Sequence, residues 1–466
     1  MCEQDHEHLP LRARGAAVRP VRGTLAAAAL LWLVPVAAQT VLTLPEALRR
    51  AAQASLPADT ARLDLAIAGE DTAQIKTSYY PQVTLNGGHM NLDNQPFFVA
   101  GPVIFPSSQQ AYWQFNLSVR ELLWDGGKRS TALSASRTRE SAVGLKGASE
   151  VRRAQAEVAD RYVTLLSLRG QRVVLDQRRK ALKDYHRVVK DLFDQGMVAR
   201  NDLLRTEVAI RSVGDQASTL ENACTTTQEA LNKDLGLDPT TPVALPDGLP
   251  PPPPIPWNEE ACRARAVDQN ESVRALAEKV KGLEQAVELR RKDYYPNVVA
   301  ELAHNYQQNE YLLYPNQNAL FIGLSLNVFD GGARAAKVRQ ARDEVEKAKR
   351  EEEEAKRGVS ISVAQALRDF NEALRQVETA RANVAASEEN LRIIEDQYKE
   401  GLARTTDVLD AESVLAESRW QVVRMHYQAY ARQAALLAAM GEDLPSFYEA
   451  GTAPAIGLSN PEKVSP

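Results

Sequence analysis

The tetrapeptide Trp124-Asp125-Gly126-Gly127 returns as Phe329-Asp330-Gly331-Gly332, an offset of 205 residues. Phe193, Gly196, Asp202, Leu204 and Glu207 return at that same offset as Tyr398, Gly401, Asp407, Leu409 and Glu412. Upstream, Tyr79-Tyr80-Pro81 returns as Tyr294-Tyr295-Pro296, at an offset of 215. An offset that stays constant from Trp124 to Glu207 is the mark of a duplicated unit. Only the stretch between the first two markers differs in length. Two copies follow, residues 39–238 and 257–440, joined by 239–256, where Pro250 to Pro254 read as an extended spacer. The tail 441–466, with Pro445, Gly451, Pro454, Gly457 and Pro461, reads as loop or disorder.

Each copy follows one plan. A helix runs to the Tyr-Tyr-Pro marker, where proline stops it for want of an N–H and for lack of room. Strand-like stretches come next. Gln114-Phe115-Asn116-Leu117-Ser118-Val119 alternates polar and apolar, as does Leu324-Ser325-Leu326-Asn327-Val328 after Phe321 and Ile322. With upstream partners at 82–92 and 297–306, these make strand pairs within 82–123 and 297–329. The intervening loops carry Pro96, Pro102 and Pro106 in one copy and Pro315 in the other. Strands of about ten residues have the length a tilted membrane strand needs. After Asp-Gly-Gly, a narrow apolar stripe (Val338, Ala341, Val345, Ala348, Phe370, Val377 and onward) repeats every three or four residues without a proline from Ala333 to Leu402. Lys128 to Met197 is equally free of proline. A helix of roughly 60 residues is about 90 Å long, too long for a compact domain, so it must lie against other long helices. Shorter helices follow near 202–235 and 407–440.

The N-terminus reads as a signal peptide, residues 1–38: Arg12, Arg14, Arg19 and Arg22, an apolar run from Leu25 to Val36, then small residues with cleavage after Ala38. The apolar run is too short to span a bilayer as a helix. No later segment is apolar enough either, so membrane crossing, if any, falls to strands. The net charge of -5 offers no basic field for nucleic acid. Cys224 and Cys262 either pair in an oxidising compartment or stand as two unpaired helix residues. The scattered His89, His186, His304 and His426 suggest no metal site, no nucleophile–base set stands out, and no cofactor is expected.

Two copies of helix, strand pair, long helix, tight turn and shorter helix, with Tyr-Pro before the first strand, aromatic-Asp-Gly-Gly after the second and aromatic-x-x-Gly-x-x-x-x-x-Asp at the helix turns, resemble the TolC family of outer-membrane efflux proteins over essentially the whole mature chain. The resemblance implies a mainly α protein with a membrane β-barrel part. It implies a homotrimer whose four strands per chain close a twelve-stranded barrel in outer-membrane lipid, above a helical tunnel across the periplasm. It implies an exit duct without a catalytic centre, docking with a periplasmic adaptor and an inner-membrane pump of the resistance-nodulation-division or ATP-binding-cassette class. A coiled-coil periplasmic spacer without a pore is the competing reading; it leaves the two strand pairs unexplained.

Matched position by position, the resemblance places Gly196, Met197, Gly401 and Leu402 on the adaptor contact, Asp202 and Tyr398 on a pair that latches the tip, and Asp407 and Asp410 on an acidic entrance motif. Arg404 stands beside Ala403, where the family often has its latch arginine. Asp407 and Asp410, three apart, share a helical face, and threefold symmetry would make rings of carboxylates that concentrate cations. The plainer reading of the same turns is that glycine ends one helix and aspartate caps the next. At the other end, Asp125 and Asp330 are helix caps, and Gly126, Gly127, Gly331 and Gly332 supply unusual backbone angles. Trp124 and Phe329 either join an interfacial aromatic belt or simply pack. Glu351 to Glu354 read as a solvated helix face.

Overall fold

The computed structural model describes residues 41–451; the signal segment expected at 1–38 lies outside them. The chain runs α1 (Leu44–Ala54), α2 (Leu56–Thr77), β1 (Gln82–Asn91), β2 (Phe97–Ala100), β3 (Val103–Pro106), β4 (Ala111–Trp124), α3 (Lys128–Asp194), α4 (Arg200–Asp234), α5 (Glu259–Gln269), α6 (Glu271–Lys292), β5 (Asn297–Gln307), β6 (Asn316–Ser325), α7 (Ala333–Lys399), α8 (Thr405–Met440) and α9 (Leu444–Gly451). The expected helix before each Tyr-Tyr-Pro marker is in fact two, broken at Ser55 and Asn270, whose side chains accept hydrogen bonds from the first turn of the next helix. The long helices α3 and α7 have 67 residues each, about 100 Å at 1.5 Å per residue.

Strands β1, β4, β5 and β6 form one antiparallel sheet in that order, so β1 and β6 are its edges. The helices continue it as a layer. α2 packs on α3, α3 on α6 and α6 on α7; farther from the sheet, α4 packs on α3, α3 on α8 and α8 on α7. The main core gathers at mid-height, where Leu48, Tyr162, Leu166, Leu231, Leu437 and Leu444 are almost wholly buried. Away from it the helices touch along single apolar stripes. Val338, Ala341, Val345, Ala348, Val363, Phe370 and Val377 of α7 are buried as its spacing predicts.

Three further differences from the sequence reading have local causes, and the proline spacer is extended as read. The loop with three prolines holds a hairpin, β2–β3, with Pro102 at its turn and Pro106 paired with Phe97 at its base. β6 ends at Ser325, short of Val328, because its partner β5 begins only after Pro296. The tail is not all loop: α9 forms, and Leu444 and Tyr448 sit in the core with Phe447 against it. The proline run is extended but fixed, since Tyr430 donates to the Pro250 carbonyl (2.7 Å) and His426 Nε2 lies 3.1 Å from the Leu249 carbonyl. Cys224 and Cys262 are free thiols on α4 and α5.

Strand turns into long helix through the Asp-Gly-Gly motif in both copies. Asp125 accepts from the N–H of Gly127 (2.9 Å) and of Arg129 (2.8 Å), and Asp330 from Gly332 and Arg334 (3.1 Å each). These satisfy donors that a helix N-terminus leaves open. The N-cap position itself belongs to the second glycine, and the aspartate reaches over it from two residues upstream. Gly126 and Gly331 both adopt left-handed backbone, at φ 66° and 65°. They differ in surroundings: a Cβ on Gly126 would meet the Tyr295 Cβ at 2.6 Å, whereas one on Gly331 meets nothing within 4 Å. Gly331→Ala should therefore cost only the backbone strain, roughly 1–2 kcal/mol, and Gly126→Ala about 1–3 kcal/mol more from overpacking. Thermal midpoints in detergent should fall further for Gly126→Ala; equal losses would refute the packing argument.

Candidate functional site

The sheet has two chemically distinct faces. Register places Val83 opposite Val119, Leu85 opposite Leu117, and then Leu302, Leu320 and Ile322 on the same side. Val83, Leu85, Leu302, Leu320 and Ile322 are each more than half exposed. The other face carries Thr84, Asn86, Asn116, Ser118, Arg120, Glu301 and Asn305, with Leu122, Val299 and Phe321 among its apolar exceptions. Asn116 donates to Asn305 there (2.5 Å), and Arg120 lies opposite Glu301. A sheet with one largely apolar exposed face, interrupted by Glu121, His304 and Asn318, and a mainly polar face behind it is built to stand between lipid and an aqueous lumen.

A bulge between Leu122 and Trp124 resets the alternation at the sheet's helical end. Trp124 then pairs with Val298, which shares the apolar side with Ala300 and Leu302, and its ring packs edge-on against Tyr295 at 6.4 Å. Arg129 lies over the Tyr79 ring at 4.8 Å and Arg334 over that of Tyr294 at 4.7 Å. Both copies thus place a tyrosine and an arginine together where strand gives way to helix. Phe329 follows the end of β6 and is 87% exposed. Burial pushes the Asp125 carboxyl upward, but the N–H groups of Arg129 and Gly127 and the Arg129 charge outweigh it and hold it below the ordinary value.

At the opposite end the long helices turn in the same manner twice. Gly196 N–H bonds the Phe193 carbonyl (2.8 Å) and Met197 N–H that of Leu192 (2.9 Å); Gly401 and Leu402 repeat this with Tyr398 (3.0 Å) and Gln397 (2.9 Å). These are Schellman turns, which ordinarily tuck the apolar residue after glycine back onto the helix. Here Met197 is 66% exposed and Leu402 75%.

The next helices start differently. Asp407 reaches back to accept from the Arg404 N–H (2.9 Å), with the Arg404 guanidinium 3.6 Å away and the Thr406 hydroxyl at 3.3 Å. The Arg404 N–H holds the Asp407 carboxyl below its ordinary value; desolvation opposes it, and the Arg404 charge and the Thr406 hydroxyl add to the lowering. Among the described residues, exposed Asp410 has no hydrogen-bond or ionic partner.

The three latch residues do not all meet. Tyr398 packs edge-on against Tyr185 (5.5 Å) and its hydroxyl lies 3.4 Å from that of buried Thr405. Burial raises the Tyr185 phenol strongly, with the Tyr398 hydroxyl pushing the same way and Thr405 opposing. Arg404, by contrast, is highly exposed and committed to Asp407, its neighbour one helical turn on. Sequence reading missed Tyr185 and Thr405. Tyr185 has no aromatic counterpart in the second copy, where Asn390 stands 205 residues on, so the repeat could not reveal it. His186 contributes a further tie: its Nδ1 lies 2.6 Å from the hydroxyl of Thr206, which itself donates to Leu203 (2.7 Å), so Nδ1 carries the proton.

This architecture defines a class: a subunit of a membrane channel, with a strand segment for the bilayer and a helical segment beyond it. The sequence matches the family described as outer membrane efflux protein over residues 47–237 and 263–442, one stretch per repeat, and the chain belongs to that family. It resides in the outer membrane and extends into the periplasm, as a channel protein. Among curated relatives it is 23% identical to the outer membrane efflux protein BepC of Brucella suis over 90% of each chain, and 25% identical to protein CyaE of Bordetella pertussis over 69% of each. Among solved structures, the outer membrane protein VceC of Vibrio cholerae shares the fold at TM-score 0.70 and 16% identity, covering 86% of this chain and 96% of that one. The open state of the Neisseria gonorrhoeae MtrE outer membrane channel does so at 0.70 and 17%, covering 86% and 89%.

Glu412, two turns along from Arg404, is a partly buried acid on α8. Burial raises its carboxyl above the ordinary value, opposed by Arg178 and Arg419 and reinforced by Glu395. An acid raised in the folded state favours folding most below its unfolded value, and that contribution fades as pH rises through the folded one. Glu412→Gln should accordingly hold or increase the thermal midpoint at pH 7–8 and lose this advantage below about pH 4. A lower midpoint at neutral pH would show that Arg178 and Arg419 dominate instead.

Proposed function

We propose that three copies of this chain form an exit duct docked, at its periplasmic end, to an adaptor protein and an inner-membrane pump. The observation that carries this reading is the open edge on each side of both layers. β1 and β6 each have one partner, and so do the outermost helices of the layer, α2 and α7 near the sheet. An unpaired strand edge is not tolerated in hydrocarbon. Edge β1 of one copy must meet edge β6 of the next, and a ring results. Two copies would give eight strands, whose interior side chains fill; three give twelve and leave a lumen lined by the polar face.

A duct has no energy source of its own, so transport draws on a partner, an inner-membrane pump of the resistance-nodulation-division or ATP-binding-cassette class. The adaptor contact falls to the paired turns at Gly196-Met197 and Gly401-Leu402, where two large apolar side chains stand in solvent without a structural reason. Asp202, Tyr398 and their neighbours hold the α3–α4 and α7–α8 hairpins together at the tip. Asp407 and Asp410 supply the entrance carboxylates. Asp410 contributes most of the field, since Asp407 is already compensated by Arg404. A non-channel spacer accounts for none of the apolar sheet face.

Single trimers reconstituted in planar bilayers should conduct and be blocked by multivalent cations from the periplasmic side. Asp410→Asn should weaken that block about tenfold, roughly 1.4 kcal/mol, and Asp407→Asn by less. A particle that does not conduct sinks the duct reading; an unchanged block in the Asp410 variant removes only the cation ring.

A further inference from the structure

The difference of ten residues between the two marker offsets has a physical counterpart. The β2–β3 hairpin, Phe97 to Pro106, is ten residues long, and the second copy closes its strand pair without one. The fold therefore does not need it. Its composition is extreme: no charged side chain occurs between Asp93 and Arg120. Both of its faces are apolar and open to solvent. Phe98 and Phe105, paired on one face, are 69% and 47% exposed; Val99 and Ile104, paired on the other, are 72% and 64% exposed. The hairpin stem is anchored, with Ser107 N–H on the Pro96 carbonyl (2.9 Å) and buried Asn309 donating to the Ser107 carbonyl (3.2 Å).

Something covers these faces. Hydrocarbon is a poor candidate, because β2 and β3 pair only with each other and their outer edges keep unpaired peptide groups. Topology points to another copy. The chain enters the hairpin straight from the end of β1, an edge strand, and the second exposed apolar segment lies on the turn that leads into β6, the other edge. On that turn Leu313 is 84% exposed and Tyr314 69%. Both lie at the end of the sheet away from the helices. Wherever β1 of one copy meets β6 of the next, the hairpin and the neighbour's turn arrive at one seam.

We propose that the β2–β3 hairpin is an inter-subunit clasp, seating Phe98, Ile104 and their neighbours on Leu313 and Tyr314 of the next copy at the outer end of the barrel. The inference rests on the trimeric reading above. Its test is oxidative cross-linking of the full chain in outer membranes, with Cys224 and Cys262 changed to Ser. Ile104→Cys combined with Leu313→Cys should give covalently linked trimers on a non-reducing gel, and neither single variant should. Trimers that stay unlinked overturn the clasp while leaving the duct intact. Linkage by Ile104→Cys alone also overturns it, since the hairpins would then meet one another on the axis. A particle that is not a trimer overturns the clasp together with the duct reading. As a second measurement, deleting residues 97–106 should lower the temperature at which the trimer dissociates in detergent; an unchanged temperature counts against the clasp.

Discussion

A peptide group inside a bilayer must find its hydrogen-bond partner within protein, and that constraint organises this molecule. Four strands in the order β1-β4-β5-β6 satisfy the inner two and leave the outer two half-satisfied. No helix of the described residues is long and apolar enough to cross a membrane, whereas the strands offer a largely apolar exposed face. Their alternation then decides which side is wet. The apolar face of Val83, Leu85, Leu302 and Ile322 and the polar face of Asn86, Asn116 and Glu301 are the two sides of one barrel wall.

The same wall continues as helix, and the change of secondary structure is made at one short motif. A strand has no end charge to speak of, whereas a helix opens with unpaired N–H groups. Asp125 and Asp330 satisfy two of these each, while the left-handed glycines redirect the chain. The bulge before Trp124 belongs to this transition. By resetting the alternation it brings an aromatic ring to the apolar side at the depth where chain leaves lipid, beside Tyr295. Trp124 is thus packed against Tyr295 on the apolar side of the sheet.

What the sequence makes legible follows from duplication and period. The markers repeat because each copy needs the same proline stop, the same Asp-Gly-Gly turn and the same glycine at the tip. The stripe on α7 repeats because one side of this helix meets α6, α5 and α8 in turn. Features that belong to a single copy have no such echo. The β2–β3 hairpin hides in a stretch whose prolines look like loop, and α9 hides behind Pro445, which a first helical turn accepts. Tyr185 is a side-chain meeting across four helices, invisible to any one-dimensional period. Arg404 shows a related effect: within one chain its guanidinium lies against Asp407, the charge nearest in sequence, rather than against Tyr398.

The two tips show how far equivalent sequences can diverge in role. Asp202 and Asp407 occupy the same place in their turns, yet Asp407 closes back on the Arg404 N–H, while the start of α4 has no such side-chain cap. One aspartate therefore fixes its own helix start and the other does not. Both glycine turns, however, leave their apolar residue outside. A Schellman turn gains by folding that residue inward, and this duplicated chain forgoes the gain at Met197 and again at Leu402. The repeat that made the helices legible is also what makes this exposure informative, because it occurs at the same position in both copies.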